Sequence, residues 1–242
     1  MQQSIFTIAS NRALTDNVYE MILRGDASAA APGQFVQLKL DSFYLRRPIS
    51  VCNADENSLT LIYKTVGRGT EAMAEYPEGK KIDILVGLGN GYDLSKSGDA
   101  PLLIGGGAGV PPMYMAAKKL IEMGKRVRVI LGFNTASEIF YEEEFKQLGA
   151  EVSVTTVDGS YGLKGFVTTA MEGMEYSYTY ACGPEPMLKA VYNASSTSGQ
   201  YSFEERMGCG FGACMGCTCE TKYGNKRICK DGPVLEKEEI VW

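Results

Sequence analysis

The stretch that most limits how this chain can fold lies near its C-terminus: Glu204-Glu205-Arg206-Met207-Gly208-Cys209-Gly210-Phe211-Gly212-Ala213-Cys214-Met215-Gly216-Cys217-Thr218-Cys219. Cys209, Cys214 and Cys217 are spaced C-x4-C-x2-C, and Cys229 follows before Lys230-Asp231-Gly232-Pro233. This is the plant-type ligand pattern for a [2Fe–2S] cluster, in which a tight loop supplies three thiolates and a later segment the fourth. Gly208, Gly210, Gly212 and Gly216 let the backbone wrap closely and aim N–H groups at sulfur. Five of the seven cysteines fall in this stretch, a concentration that packing does not explain.

Three other readings compete. A disulfide framework calls for a secreted context, and Met1-Gln2-Gln3-Ser4 does not open a basic region followed by an apolar run. A zinc site pairs two CxxC knuckles or adds histidine, whereas this chain has one CxxC and no histidine. Buried free cysteines have no reason to cluster among glycines. Cys219, two residues after Cys217, stays open as a substitute ligand; the spacing assigns Cys209, Cys214 and Cys217, with Cys229 fourth.

The missing histidine has a wider consequence. Histidine is the usual acid or base near neutral pH, so hydrolysis through a triad is disfavoured, while electron transfer carried by bound cofactors is not. The net charge of −5 argues against nucleic acid as main partner. No apolar run approaches the length of a membrane span. Cysteine-rich yet without a signal, the chain is expected in a reducing cytoplasm. Its 242 residues allow one large domain, or two modest ones and a small tail.

The first hundred residues predict short strands at Ser4 to Ala9, Val18 to Leu23, Phe35 to Leu40, Leu59 to Lys64 and Lys81 to Val86. Turn formers such as Gly25-Asp26, Pro32-Gly33 and Asp55-Glu56-Asn57 separate them, which predicts a small antiparallel barrel. Two motifs sit on it. In Arg47-Pro48-Ile49-Ser50, the guanidinium offers a planar fork to a pyrophosphate and the serine a hydrogen bond to a flavin edge. The same four residues equally suit a polar strand start. In Ile62-Tyr63-Lys64-Thr65-Val66-Gly67-Arg68-Gly69-Thr70, a glycine turn opens a short helix and presents free N–H groups to phosphate, with Tyr63 as a flat face for a ring system.

At Pro101 the pattern changes. Pro101-Leu102-Leu103-Ile104 is a continuous apolar strand of the buried parallel kind, and it runs into Gly105-Gly106-Gly107-Ala108-Gly109-Val110-Pro111-Pro112 and a helix to about Met123. Strands follow at Val127 to Leu131, Glu151 to Thr156 and Tyr178 to Ala181; helices at Glu142 to Leu148, Phe166 to Met171 and Glu185 to Ala194. This α/β order places ligands at the carboxyl ends of the strands. The loop departs from G-x-G-x-x-G, so a structural turn and a nucleotide site both remain open for it. Cys182-Gly183-Pro184 ends a later strand on the same edge, where Cys182 either lines a nicotinamide pocket or fills the core. Cys52 reads as core.

In this order, RPIS, GxGT, GGGAGVPPM and CGPEPM resemble the ferredoxin–NADP reductase superfamily. Most relatives carry R-x-Y-S/T on the barrel; here Ile49 replaces the tyrosine and removes an aromatic that would stack on flavin. With ERMGCGFGACMGC and CKDGPV, the chain resembles one branch, the electron transfer subunits of type B dihydroorotate dehydrogenases. That resemblance implies a β + α/β chain: an N-terminal antiparallel FAD-binding β-barrel (1–98), a Rossmann-like NAD-binding α/β domain (99–200) and a small C-terminal [2Fe–2S] cluster domain (201–242). It implies FAD against Arg47, Pro48, Ile49, Ser50, Ile62, Tyr63, Lys64, Gly69 and Thr70, and NAD against Gly105, Gly106, Gly107, Ala108, Gly109, Cys182, Gly183 and Pro184. Asn134 and Thr135 offer no cation for a 2′-phosphate. The implied partner is an FMN-containing dihydroorotate dehydrogenase catalytic subunit, in a heterotetramer with two of each, with NAD+ as final acceptor.

A flavin exchanges hydride with nicotinamide and single electrons with a cluster, so no catalytic side chain is assigned. Phe211, Met215 and the terminal Val241-Trp242 read as an apolar rim to the cluster surface, or as a small core beneath it. Two rivals share most of these motifs: a flavin/iron–sulfur subunit of a hydrogenase, sulfide-linked reductase or transhydrogenase complex, and a non-enzymatic electron carrier that has lost flavin. Intact RPIS and GxGT motifs count against the carrier.

Overall fold

The computed structural model describes residues 1–242. Six strands, β1 (Gln2–Ala13), β2 (Val18–Arg24), β3 (Phe35–Leu38), β4 (Arg47–Ala54), β5 (Ser58–Lys64) and β6 (Lys81–Leu88), close an antiparallel barrel in the order β1-β2-β5-β4-β3-β6. Period-two alternation drives the closure: along β6, Ile82, Ile84 and Val86 turn inward while Lys81 and Asp83 turn outward. Asp55 fixes the β4–β5 turn by accepting from the N–H groups of Asn57 and Ser58. Helix α1 (Arg68–Ala74) drops Met73 into the same core. β4 starts at the Arg47-Pro48-Ile49-Ser50 motif, which suits a polar strand start, and runs on to Ala54. Pro48 is tolerated because it sits at the strand's start.

The second part alternates strand and helix: β7 (Leu102–Gly106), α2 (Val110–Glu122), β8 (Arg128–Phe133), α3 (Glu142–Gln147), β9 (Glu151–Thr156), β10 (Leu163–Lys164), α4 (Val167–Met171), β11 (Thr179–Cys182), α5 (Glu185–Ala194) and β12 (Gly199–Ser202). Leu102, Leu103 and Ile104 are fully buried, as a strand covered on both faces requires. The segment 203–242 adds a hairpin, β13 (Thr218–Thr221) and β14 (Gly224–Arg227), a turn of helix α6 (Ile228–Asp231) and β15 (Val234–Glu236). The sheet order is β10-β9-β8-β7-β11-β12-β15, parallel except for β15. The chain runs outward from β7 through β8, β9 and β10, then returns to β7's other side with β11. That reversal leaves a crevice beyond the carboxyl ends of β7 and β11, where α/β sheets bind ligands.

The parts share their cores. Met115 of α2 is buried in the barrel cluster, while Val18, Cys52 and Ile62 of the barrel pack into the core under α2. A fully buried side chain of this size contributes about 1.5–3 kcal/mol. Across the same junction the Tyr141 hydroxyl donates to Glu20 Oε2 at 2.7 Å. Asn90 fastens the C-terminal segment: its Nδ2 donates to Val234 O at 2.7 Å and its Oδ1 accepts from Val234 N–H at 3.1 Å. No helix is long and apolar enough to cross a membrane.

Candidate electron-transfer site

The cysteine loop lies against the outer face of β3. Phe35 packs in one cluster with Cys217, Ile228 and Cys229, the last two from α6. Two of the sulfurs accept hydrogen bonds from backbone N–H groups. Cys209 Sγ accepts from the N–H groups of Ala213 (3.2 Å) and Cys214 (3.4 Å), and Cys217 Sγ accepts from the N–H of Cys229 at 3.4 Å. All are free thiols, Cys217 and Cys229 buried, Cys209 half-buried and Cys214 exposed. Burial opposes ionising Cys209, but the N–H of Cys214, that of Phe211, the Cys214 thiol and the N–H of Ala213 outweigh it and bring the pKa to about 6. Burial, then the neighbouring Cys217 sulfur, pushes Cys229 up to about 12.

The glycines earn this geometry. Gly210 and Gly212 have φ of +77° and +90°, which side-chain-bearing residues rarely adopt. A Cβ on Gly212 would stand 2.7 Å from Lys230 Cδ, and one on Gly210 2.1 Å from the Gln37 amide nitrogen. Arg227 holds the loop from behind, donating to Gly212 O at 2.9 Å while pairing with Asp231. Cys219 turns elsewhere, into a cleft described below. Four free thiols on one loop and the adjoining α6, with N–H groups already aimed at the Cys209 and Cys217 sulfurs, are a donor set that suits two irons bridged by sulfide.

On the barrel, the two flavin motifs meet. Gly69 is buried beneath Arg47, and a Cβ there would lie 2.3 Å from Arg47 Nε. The guanidinium sits 4.8 Å over the Phe43 ring, and its Nη1 donates to Leu45 O at 2.6 Å. Pro48, Ile49 and Ser50 are half-buried beside it. Thr70 closes the turn before α1: its Oγ1 accepts from Val66 N–H and donates to Gly67 O.

The open ring face expected of Tyr63 needs correction. Tyr63 offers no open ring: it is 3% exposed, stacks on Tyr19 with centroids 5.8 Å apart, and donates its hydroxyl to Asn11 at 2.9 Å. Ile62 is buried in the core shared with the second domain. Both faces of β5 are covered, which a strand in isolation could not reveal, so of this trio only Lys64 keeps a half-exposed side chain.

At the sheet edge, the glycine loop after β7 and the turn after β11 also come together. A Cβ on Gly109 would meet Cys182 O at 2.2 Å, and one on Gly106 would meet Met187 Sδ at 2.3 Å. Gly107 has φ of +51° with open space beside it, and a Cβ on Gly105 would meet Val110 Cα at 2.8 Å. Ala108 is exposed at the loop's tip. The Cys182 thiol is pushed up to about 12 by burial, which makes it a small packing group rather than a nucleophile.

A cleft of about 760 Å³ joins the three parts, lined by Arg47 and Pro48, by Gly183 and Pro184, and by Met207, Cys219 and Trp242 among others. Its size is that of a cofactor or small-molecule site, roughly 300–1,000 Å³. Trp242 is half-buried against Tyr192 and Phe203, whereas Phe211, Met215 and Val241 are exposed. Sequence reasoning missed Phe203, Glu220, Leu235 and Ile240 in this lining, which lie outside the recognisable motifs and carried no signal of their own. It also missed Gln37, which is fully buried with neither amide atom hydrogen-bonded.

Comparison with known proteins agrees with this layout. Residues 204–241 match the iron–sulfur cluster binding domain of dihydroorotate dehydrogenase B, and residues 103–193 match the oxidoreductase NAD-binding domain. The chain is 44% identical to the dihydroorotate dehydrogenase B (NAD(+)) electron transfer subunit of Bacillus pumilus, covering 99% of this chain and 98% of that one. It is also 44% identical to that of a Geobacillus strain, covering 100% and 99%. A chain of the NADH-dependent reduced ferredoxin–NADP oxidoreductase superposes with a TM-score of 0.90 at 29% identity, covering 98% and 90%. This chain therefore belongs to the electron transfer subunits of dihydroorotate dehydrogenase B (NAD(+)), oxidoreductase subunits of pyrimidine biosynthesis that carry an iron–sulfur domain and an NAD-binding domain.

Proposed function

We propose that this chain holds FAD and one [2Fe–2S] cluster and carries electrons from an FMN-containing catalytic partner to NAD+. The cleft carries the reading: Arg47, the Gly183-Pro184 turn and the residues flanking the cysteine loop, Met207 and Cys219, border one space. A flavin ring there would have the nicotinamide edge on one side and the cluster loop on another. When bound, flavin supplies hydride exchange with nicotinamide and single-electron exchange with the cluster.

The protein's own groups bind and orient. Cys209, Cys214, Cys217 and Cys229 hold the cluster, and the packing of Cys229 beside Cys217, with its N–H on the Cys217 sulfur, supports Cys229 over Cys219 as fourth ligand. Arg47 faces the pyrophosphate, with Pro48, Ile49, Ser50, the backbone of Ile62, Tyr63 and Lys64, and the Gly69-Thr70 turn around the rest of FAD. Gly105 to Gly109 and Cys182-Gly183-Pro184 form the NAD edge. At the end of β8, Asn134 gives both its backbone and side-chain N–H to Glu138 Oε2, at 3.1 and 2.8 Å. A carboxylate there repels a 2′-phosphate and supports NAD over NADP.

The domain reading follows the same lines: barrel 1–98, nucleotide domain 99–200 and cluster domain 201–242, the last tied to the sheet through β15. The assembly is a cytoplasmic heterotetramer with two of each subunit. The test is direct: purify the chain, release and identify the flavin, and count iron and sulfide. FAD with about two irons and two sulfides per chain is expected for this cluster type; FMN, or iron without sulfide, defeats the proposal.

A further inference from the structure

We propose that Gln37 is a positioning residue for the iron–sulfur centre, its carboxamide donating a hydrogen bond to a sulfur at the Cys209 end of the bound cluster and raising the cluster's reduction potential. This rests on the cluster reading above and deepens it.

The placement follows from strand geometry. Along β3, Val36 and Leu38 enter the barrel core, so Phe35 and Gln37 share the opposite face. Phe35 packs on that face with Cys217 and Cys229, which puts Gln37 under the cysteine loop as well. It is 0% exposed, and it is the one side chain in the protein with two buried polar atoms that lack any partner. Buried amides are paired in nearly all native structures, and an unpaired one is costly.

The atom nearest the loop is the nitrogen. A Cβ on Gly210 would come within 2.1 Å of Nε2, so a glycine is what admits the amide between Cys209 and Phe211. The strand beneath is fixed: Arg46 Nη1 donates to Gln37 O at 3.3 Å and to Asp83 O at 2.9 Å, while its Nη2 holds Asp83 Oδ2 at 2.8 Å. Gln37 is thus a donor held on a rigid strand, aimed at a loop whose only unused role is to surround sulfur. The thiolate and sulfide sulfurs of a bound cluster accept and have no proton to donate, so the nitrogen rather than the carbonyl oxygen is the group they pair.

Reduction adds one electron to the cluster, supplied by flavin or by the partner subunit, and moves no proton. A neutral N–H dipole favours the more negative, reduced state, so Gln37 makes reduction easier. Gln37→Met keeps the side-chain length and removes the donor. Gln37→Glu keeps the shape and replaces the donor with a carboxylate.

The experiment is a redox titration of the full chain carrying its cluster, followed by EPR, for wild type, Gln37→Met and Gln37→Glu. The expected order of potentials is wild type, then Gln37→Met, then Gln37→Glu. The first step should be a roughly tenfold loss in the reduction equilibrium, ~59 mV for a one-electron couple. The metal-free chain gives a readout of opposite sign: Gln37→Met should melt no lower than wild type, because it removes an unpaired amide. Equal cluster potentials in wild type and both variants overturn the proposal, as does a shift confined to the flavin, which would assign the amide to that cofactor. Failure of wild type to show a [2Fe–2S] signal would remove the cluster reading itself, a result distinct from either.

Discussion

A methyl group on Gly109 should damage nucleotide binding and little else. Gly109 has φ −84° and ψ −7°, a conformation any residue adopts, so backbone strain plays no part in the substitution. The added Cβ would lie 2.2 Å from Cys182 O, 2.3 Å from Cys182 C and 2.5 Å from Gly183 N. All three are backbone atoms, with no flexible side chain to swing aside. Non-bonded heavy atoms settle at about 3.5–4.0 Å, so the glycine loop and the Cys182 turn must part by more than about 1 Å. Overpacking of this kind costs about 1–3 kcal/mol. For a chain of this length that lowers Tm by about 2–4 °C per kcal/mol. A displacement near 1 Å in a positioning element costs up to ~10²-fold in function. In an NADH–ferricyanide assay, Gly109→Ala should therefore raise KM for NADH by roughly 10–100-fold, with flavin content and the cluster spectrum at wild-type levels. Gly124→Ala is the control: φ is +78° with open space around it, so it carries strain of about 1–2 kcal/mol and no contact with the site. It should lower Tm without moving KM. An unchanged KM in Gly109→Ala, or an equal rise in Gly124→Ala, would refute the close-approach reasoning.

Further outcomes follow from the same geometry. Arg47→Ala should weaken FAD retention by about 1.5–3 kcal/mol, the range for a charge-assisted contact, and Gly69→Ala should act in the same direction because its Cβ would meet Arg47 Nε at 2.3 Å; flavin release on dilution measures both. Cys229→Ser should lose iron while Cys219→Ser keeps it, and iron analysis showing the reverse would exchange the fourth ligand. For Asp83, burial opposes ionisation but the Arg46 contact prevails and holds the carboxyl below its ordinary value. Its stabilising contribution is complete above the unfolded pKa of about 3.9 and is lost as pH falls through the lower folded value. Asp83→Asn should flatten the acid limb of a urea-midpoint-versus-pH curve below about pH 4, with a constant offset above it; an unaltered acid limb would count against the pairing.

Much of this layout is legible in the chain itself, for reasons that differ by region. The cysteine motif is readable because its spacing is local and thiolate chemistry leaves few alternatives. Helix α5 runs Glu185–Ala194 as expected, since a proline-flanked start and amphipathic spacing mark it strongly. β4 and β5 differ in legibility. Arg47-Pro48-Ile49-Ser50 suits a strand start and begins β4, whereas Tyr63 reads as an exposed platform but is covered by Tyr19 and Asn11. β12 and β15 are short and join only through tertiary pairing, so neither carries a pattern long enough to stand out. The cleft is illegible because its walls come from three regions. Gln37 is illegible for a subtler reason: a polar residue alternating with apolar ones reads as solvent-facing, and only the cysteine loop packed over β3 turns that face inward.

The most direct measurement mixes the purified chain with its proposed FMN-containing catalytic partner and follows NADH formation from dihydroorotate and NAD+. The isolated chain should oxidise NADH with an artificial dye yet leave dihydroorotate untouched. Together the two subunits should reduce NAD+, and Cys229→Ser in this chain should abolish that transfer while sparing the dye reaction. Dihydroorotate oxidation by this chain alone, or NAD+ reduction by the mixture that survives loss of the cluster, would contradict a route from the partner through the cysteine loop to the nucleotide edge.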